Sequence, residues 1–332
     1  MSRFQYCFKK NDNIQLLLEQ YFDELRKSIE NKFENNVSVL LVGSLSRGEG
    51  TWIKKNDKYS LISDIEFFVI YNNEKISDIE YVIQEVNRNV FGDDQLEAFH
   101  IDYSYIHVSE VSSLERKLII FEAKKFGKTI VGTDYTKLFP RVDIGNINRS
   151  DIKDIISHRL FSMLFYGEKC KHSINEYTYL LAKNSLDLMT VFLANHGVLE
   201  GGFYPRYQEF KKVCNDEALV KYMGACLNIK MGDSTIIYSV DEMKCIFISL
   251  CEQLYRDSKI PVKNIIVNLR KRIRRYAGII KRGIKRKKIA TFSKQFNDMV
   301  TCFVKEKKLT EDMLVRHYVL YGYPSDLEDK QI

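Results

Sequence analysis

VLLVGSLSRGEGTW, residues 39–52, and SDIEFFVIY, residues 63–71, decide how this chain is read. VSVLLV at 37–42 is a short, β-branched apolar run halted by Gly43, and IEFFVIY at 65–71 is similar, so both read as strands of a buried sheet. Residues two apart on a strand face the same side. Asp64 and Glu66 therefore stand side by side while Ile65 and Phe67 turn toward the core. Two adjacent carboxylates repel each other, and a divalent cation between them relieves the repulsion. Hard oxygen ligands suit Mg²⁺, which binds a few carboxylates together with substrate phosphates.

Around this pair the pattern alternates. Ile14, Leu17, Leu18, Phe22, Leu25 and Ile29 predict an amphipathic helix over 13–34, and a second helix is expected over 76–90. FHIDYSYIHV at 99–108 alternates like a third strand. There His100, Asp102 and Ser104 share the face opposite Ile101, Tyr103 and Tyr105. Asp102 is the acid placed to complete a three-carboxylate site, with Glu97 and Glu110 as competitors. Gly43 and Ser44 end the first strand in a short helical turn whose N–H groups and hydroxyl suit an anion. Arg47, three residues on, is a charge-assisted donor for a phosphate oxygen.

GSLSRGEG followed by SDIE and a later strand aspartate resembles the polymerase-beta-like nucleotidyltransferase superfamily. The Arg-Gly after the serine is especially similar to bacterial antibiotic nucleotidyltransferases of aminoglycoside type. The resemblance covers about residues 37–135 and is weaker beyond. It implies transfer of a nucleoside monophosphate from an NTP such as ATP to an acceptor, with pyrophosphate released. Two Mg²⁺ ions, replaceable by Mn²⁺, would bridge carboxylates and phosphates. By matching position Asp64, Glu66 and Asp102 would be the catalytic metal ligands, Asp102 doubling as base. Gly43, Ser44 and Arg47 would hold the nucleotide. Two departures stand out: the second acid is Glu rather than Asp, and about twenty residues separate Ser44 from Asp64, so WIKKNDKYSLI reads as an inserted hairpin or loop.

The composition shifts near GNINRS at 145–150, and helices are expected over 151–166, 175–195, 205–213, 216–229, 240–257, 261–288 and 310–321. The expected class is α+β: a nucleotidyltransferase domain with a mixed sheet over 1–147, then a mostly helical domain over 148–332 that closes the NTP and acceptor cleft. In the resembled family such helices close over the triphosphate. That makes Lys183 and Arg206 candidates for phosphate contacts and Tyr179 or Tyr204 for base stacking; otherwise Lys183 is a solvated face residue and the tyrosines are core.

The net charge is +7, yet RKRIRRYAGIIKRGIKRKK at 270–288 carries eleven Lys or Arg and no acid, so the remainder is acidic. A basic helix at 261–288 with an apolar stripe suits an anionic membrane surface or RNA, or an ordinary domain helix with a solvated face. Gly278 and Gly283 favour a break in it. No apolar run reaches the roughly 20 residues that span a bilayer, and seven scattered cysteines without C-x-x-C pairs suit a reducing compartment, mostly as core thiols. A zinc site is not expected from the histidine spacing. The expected location is the cytoplasm, or the inner membrane face through the basic helix. The acceptor expected first is a small hydroxylated molecule or glycan precursor; transfer to tRNA or protein in the manner of toxins, second-messenger synthesis, and a non-catalytic binding module are the alternatives.

Overall fold

A computed structural model describes residues 4–55, 58–92, 101–166, 174–232 and 237–257. The basic helix expected over 261–288, the helix over 310–321, and Glu97, His100, Cys170, His172 and Cys302 lie outside the described residues.

The chain is α+β. Helix α1 (Asp12–Phe33) starts where the Asn11 side chain accepts the Asn13 and Ile14 N–H groups, and buries Ile14, Leu18, Phe22, Leu25 and Ile29 on one face. Strand β1 (Val37–Val42) follows, buried throughout, and runs into a four-residue helix, α2 (Gly43–Ser46). The expected insertion is the hairpin β2 (Trp52–Lys55) and β3 (Lys58–Leu61), with Trp52 opposite Leu61. Next come β4 (Ile65–Tyr71), α3 (Ile76–Phe91), β5 (Ile101–His107), α4 (Leu118–Phe126) and β6 (Lys128–Val131).

The sheet order is β5-β4-β1-β6. β1 is antiparallel to β4 and β6 while β4 is parallel to β5, which makes the sheet mixed. The fourth strand, β6, is not among those read from sequence: four residues between Gly127 and Gly132 are too few to show a period. Ile65, Phe67 and Val69 face α1 and α3, whereas Phe68 and Ile70 face Ile120 and Ala123 of α4. Each fully buried aliphatic or aromatic side chain in these layers contributes about 1.5–3 kcal/mol. Tyr21 donates to Asn87 Oδ1 at 2.8 Å and Asn87 Nδ2 donates to the Tyr103 hydroxyl at 2.8 Å, so one amide joins α1, α3 and β5.

The remainder is helical: α5 (Arg149–Tyr166), α6 (Ile174–Asn195), α7 (Phe203–Val213), α8 (Glu217–Lys230) and α9 (Val240–Asp257). α6 runs through the middle of this half, with Leu181, Leu186, Leu188, Met189, Val191 and Leu193 fully buried. An apolar surface all round the helix is what a central position demands. None of the described helices is long and apolar enough to cross a membrane. Cys7, Cys226 and Cys251 are buried thiols as expected, but Cys245 is exposed.

Candidate active site

The register of the sheet places the acids. Val42 pairs with Glu66 across β1 and β4, and Glu66 pairs with Asp102 across β4 and β5, so the Gly-Ser turn, Glu66 and Asp102 lie in one row at the sheet end. Parallel register partners share a face, which puts Asp102 on the side of Glu66. Asp102 is exposed there.

Gly43 holds φ +72°, and a Cβ on it would fall 1.6 Å from Glu66 Oε2. Glycine is therefore required twice, for the left-handed backbone and for the carboxylate lying over it. Ser44 is partly exposed beside it. Burial, above all, pushes the Glu66 carboxyl above its ordinary range; the Lys183 ammonium pulls the other way and the neighbouring charge of Asp64 adds to the rise.

Lys183 comes from α6 and donates to Asp64 Oδ2. Burial lowers its affinity for a proton, but the charge of Asp64, with Tyr179 and Glu66, more than reverses that, and the ammonium form is favoured. The residue expected from the helical half thus meets the first acid of the strand pair. It supplies the positive charge that two neighbouring carboxylates require.

Arg47 and Arg206, expected to reach phosphate oxygens, are committed elsewhere. Arg47 Nε donates to Glu49 Oε2 at 2.7 Å and Nη1 to Glu122 Oε2 at 3.0 Å. Arg206 Nη2 stands 2.7 Å from Glu122 Oε1, and its Nη1 donates to Thr190 Oγ1 at 3.1 Å. Both guanidinium groups are buried, with side chains 6% and 1% exposed. The physical reason is Glu49, buried, and Glu122, half-buried, two acids behind the turn that need countercharge. Burial alone would raise Glu122, yet Arg206 and Arg47 hold it below its ordinary value. Glu49 also accepts the Phe203 N–H at the start of α7, where a Cβ on Gly202 would fall 1.9 Å from Glu49 Oε1. This network ties α2, α4 and α7 together.

The tyrosines separate as well. Tyr204 is 53% exposed, while Tyr179 is buried and hydrogen-bonded, which removes it as a stacking platform. Arg159, absent from the sequence reading, extends from α5 to Asp187 Oδ2 at 2.8 Å and is 26% exposed. Its charge acts on Glu66, Glu122 and Lys183. Its position in an apolar-and-polar helix gave no periodic signal.

Among the described residues, no three His, Cys, Asp or Glu side chains gather closely enough to hold a metal ion. The structure brings Asp64 and Glu66 together with Lys183, and leaves Asp102 as their register neighbour rather than drawing all three acids into one cluster. The donor set nevertheless fits a divalent cation. Asp64 and Glu66 are hard oxygen donors on one face, and the charge of Asp64 adds to the rise of Glu66, a repulsion that a cation between them would relieve.

No family model and no curated protein matches this chain. Among solved structures it is similar to a spectinomycin adenyltransferase from Enterococcus faecialis with ATP and spectinomycin, at TM-score 0.46 and 13% identity, over 72% of this chain and 98% of that one.

Proposed function

We propose that this protein is a divalent-metal-dependent nucleotidyltransferase that moves a nucleoside monophosphate from an NTP to a hydroxyl of a small molecule or glycan precursor, releasing pyrophosphate. The observation that carries this reading is the Gly43 turn closing on Glu66, beside Asp64, with Lys183 bonded to Asp64 from the helical half. Division into a catalytic unit to residue 147 and a helical unit beyond it is part of the proposal.

Asp64 and Glu66 would hold the metal, with Asp102 in the same row as a further ligand and as the base that takes the acceptor proton. When bound there, Mg²⁺ or Mn²⁺ supplies charge neutralisation for the phosphates. The chain's own residues do the rest. Glycine at 43 lets Glu66 lie over the turn, and Ser44 sits at its edge. Lys183, beside Asp64, and the partly exposed Arg159 would meet a triphosphate, while Arg47 and Arg206, paired with Glu49 and Glu122, would stiffen the structure behind it.

The test is equilibrium binding of NTP analogues that resist cleavage at the α-phosphate, with Mg²⁺. Lys183→Met should weaken binding by about tenfold or more, the scale of a lost charge-assisted contact. Equal affinity in the wild type and Lys183→Met would remove the phosphate role.

A further inference from the structure

Lys183 and Asp64 are each one step away from a second buried centre. Ser63, the residue before Asp64, accepts the Thr51 N–H at 2.8 Å and a Lys230 ammonium proton at 3.0 Å. Tyr179, one helical turn before Lys183 on the same face of α6, takes a second Lys230 proton at 2.8 Å, and its hydroxyl lies 3.2 Å from Ser63 Oγ. The Thr51 hydroxyl closes the ring by donating to the Lys230 carbonyl at 2.6 Å. Ser63, Thr51 and Lys230 are 2%, 3% and 1% exposed.

Proton counting fixes the directions. A serine hydroxyl has two lone pairs and one proton. Both lone pairs of Ser63 receive donors, so its proton goes to the Tyr179 oxygen. Tyr179 then accepts twice, from Ser63 and from Lys230. Burial would raise the Tyr179 phenol, but Lys230 and then Lys183, with the hydrogen bonds, bring it below its ordinary value.

Among the described residues no carboxylate lies within ion-pair distance of Lys230. Burying an ammonium against neutral oxygens costs several kcal/mol before its hydrogen bonds are counted, so a methionine would serve packing alone at lower cost. The ammonium touches the chain neighbour of Asp64 and the helix neighbour of Lys183.

We propose that Lys230 is a positioning residue for the metal-binding carboxylates: from the end of α8 it pins Ser63, which aims Asp64, and Tyr179, which sets the turn of α6 carrying Lys183. This rests on the reading of Asp64 and Glu66 as metal ligands.

The test is Mn²⁺ alone, titrated by electron paramagnetic resonance against the full chain, with urea unfolding in parallel. Removing a nearby positive charge would by Coulomb's law tighten cation binding. A positioning role predicts the opposite sign: Lys230→Met weakens Mn²⁺ binding by about tenfold, the scale of a second-layer ligand support. If Lys230 acts through Ser63, adding Ser63→Ala to Lys230→Met should produce little further loss. Unchanged or tighter Mn²⁺ binding by folded Lys230→Met overturns the proposal. Should that variant fail to fold, Tyr179→Phe removes a single hydroxyl and is expected to weaken Mn²⁺ by about threefold; wild-type affinity would overturn the proposal equally. Wild-type Mn²⁺ binding that is absent, or indifferent to Asp64→Asn, overturns the metal reading and this inference together. Binding that is sensitive to Asp64→Asn but not to Lys230→Met overturns this inference alone.

Discussion

Lys183 Nζ is hydrogen-bonded to Asp64 Oδ2, joining the central helix of the C-terminal half to the acid at the head of β4 across 119 residues of sequence. The contact balances a carboxylate pair that would otherwise repel, and it places the one lysine singled out from the helical half beside the one strand pair singled out from the N-terminal half.

Lys183→Met leaves Asp64 and Glu66 facing each other without that charge. The expected loss is about 1–3 kcal/mol, the scale of a lost hydrogen bond to a charged, partly buried group. Adding Asp64→Asn should recover part of it, because the repulsion goes with the charge. Urea unfolding of the two single variants and the double variant checks this; strict additivity would show that the two side chains do not act on each other.

Gly43→Ala forces a side chain into the left-handed region and into Glu66. The backbone contribution is about 1–2 kcal/mol, and the displaced carboxylate adds to it. In a Glu66→Ala background the added cost should vanish, leaving the backbone part. Thermal unfolding of the four proteins measures both, and an equal effect of Gly43→Ala in both backgrounds would deny the steric contact.

Glu122→Gln removes the carboxylate that pairs with Arg206 and one of the two that pair with Arg47. Breaking a buried ion pair by removing one partner costs about 3–5 kcal/mol, so the variant should lose most of that in urea unfolding. A loss under 1 kcal/mol would mean the two arginines reach water or other acceptors.

The same residue gives a pH dependence. Glu122 is held below its ordinary value of 4.5 in the folded chain, so its proton is bound more weakly there than in the unfolded chain. Its stabilisation is fully present above about pH 4.5 and is lost as the pH falls through the folded value. Unfolding free energy should therefore drop less steeply between pH 5 and pH 3 in Glu122→Gln than in the wild type. Parallel curves would show that this carboxyl titrates alike in both states.

Much of the fold was legible because local rules agree in it. The apolar period of Asp12–Phe33, the β-branched run ending at Gly43, and the acid-x-acid alternation at 64–66 each follow from their own neighbours in sequence. Helices expected over 175–195 and 216–229 run over Ile174–Asn195 and Glu217–Lys230. Long-range electrostatics carried no such signal. Arg47 meets Glu122 across 75 residues, Phe203 meets Glu49 across 154, and Lys230 meets Ser63 across 167. Neither period nor propensity reports which buried charges will pair. For that reason Arg47 and Arg206 read as phosphate ligands, while Glu49, Glu122, Arg159 and Lys230 went unread.

The most direct measurement incubates the full chain with each of the four NTPs labelled at the α-phosphate, Mg²⁺ and a pool of small hydroxylated acceptors, beside an Asp64→Ala control. The account predicts label in a small-molecule product, with pyrophosphate released, in the wild type and not in Asp64→Ala. Equal label in the two proteins with all four nucleotides, or none in either, would contradict it.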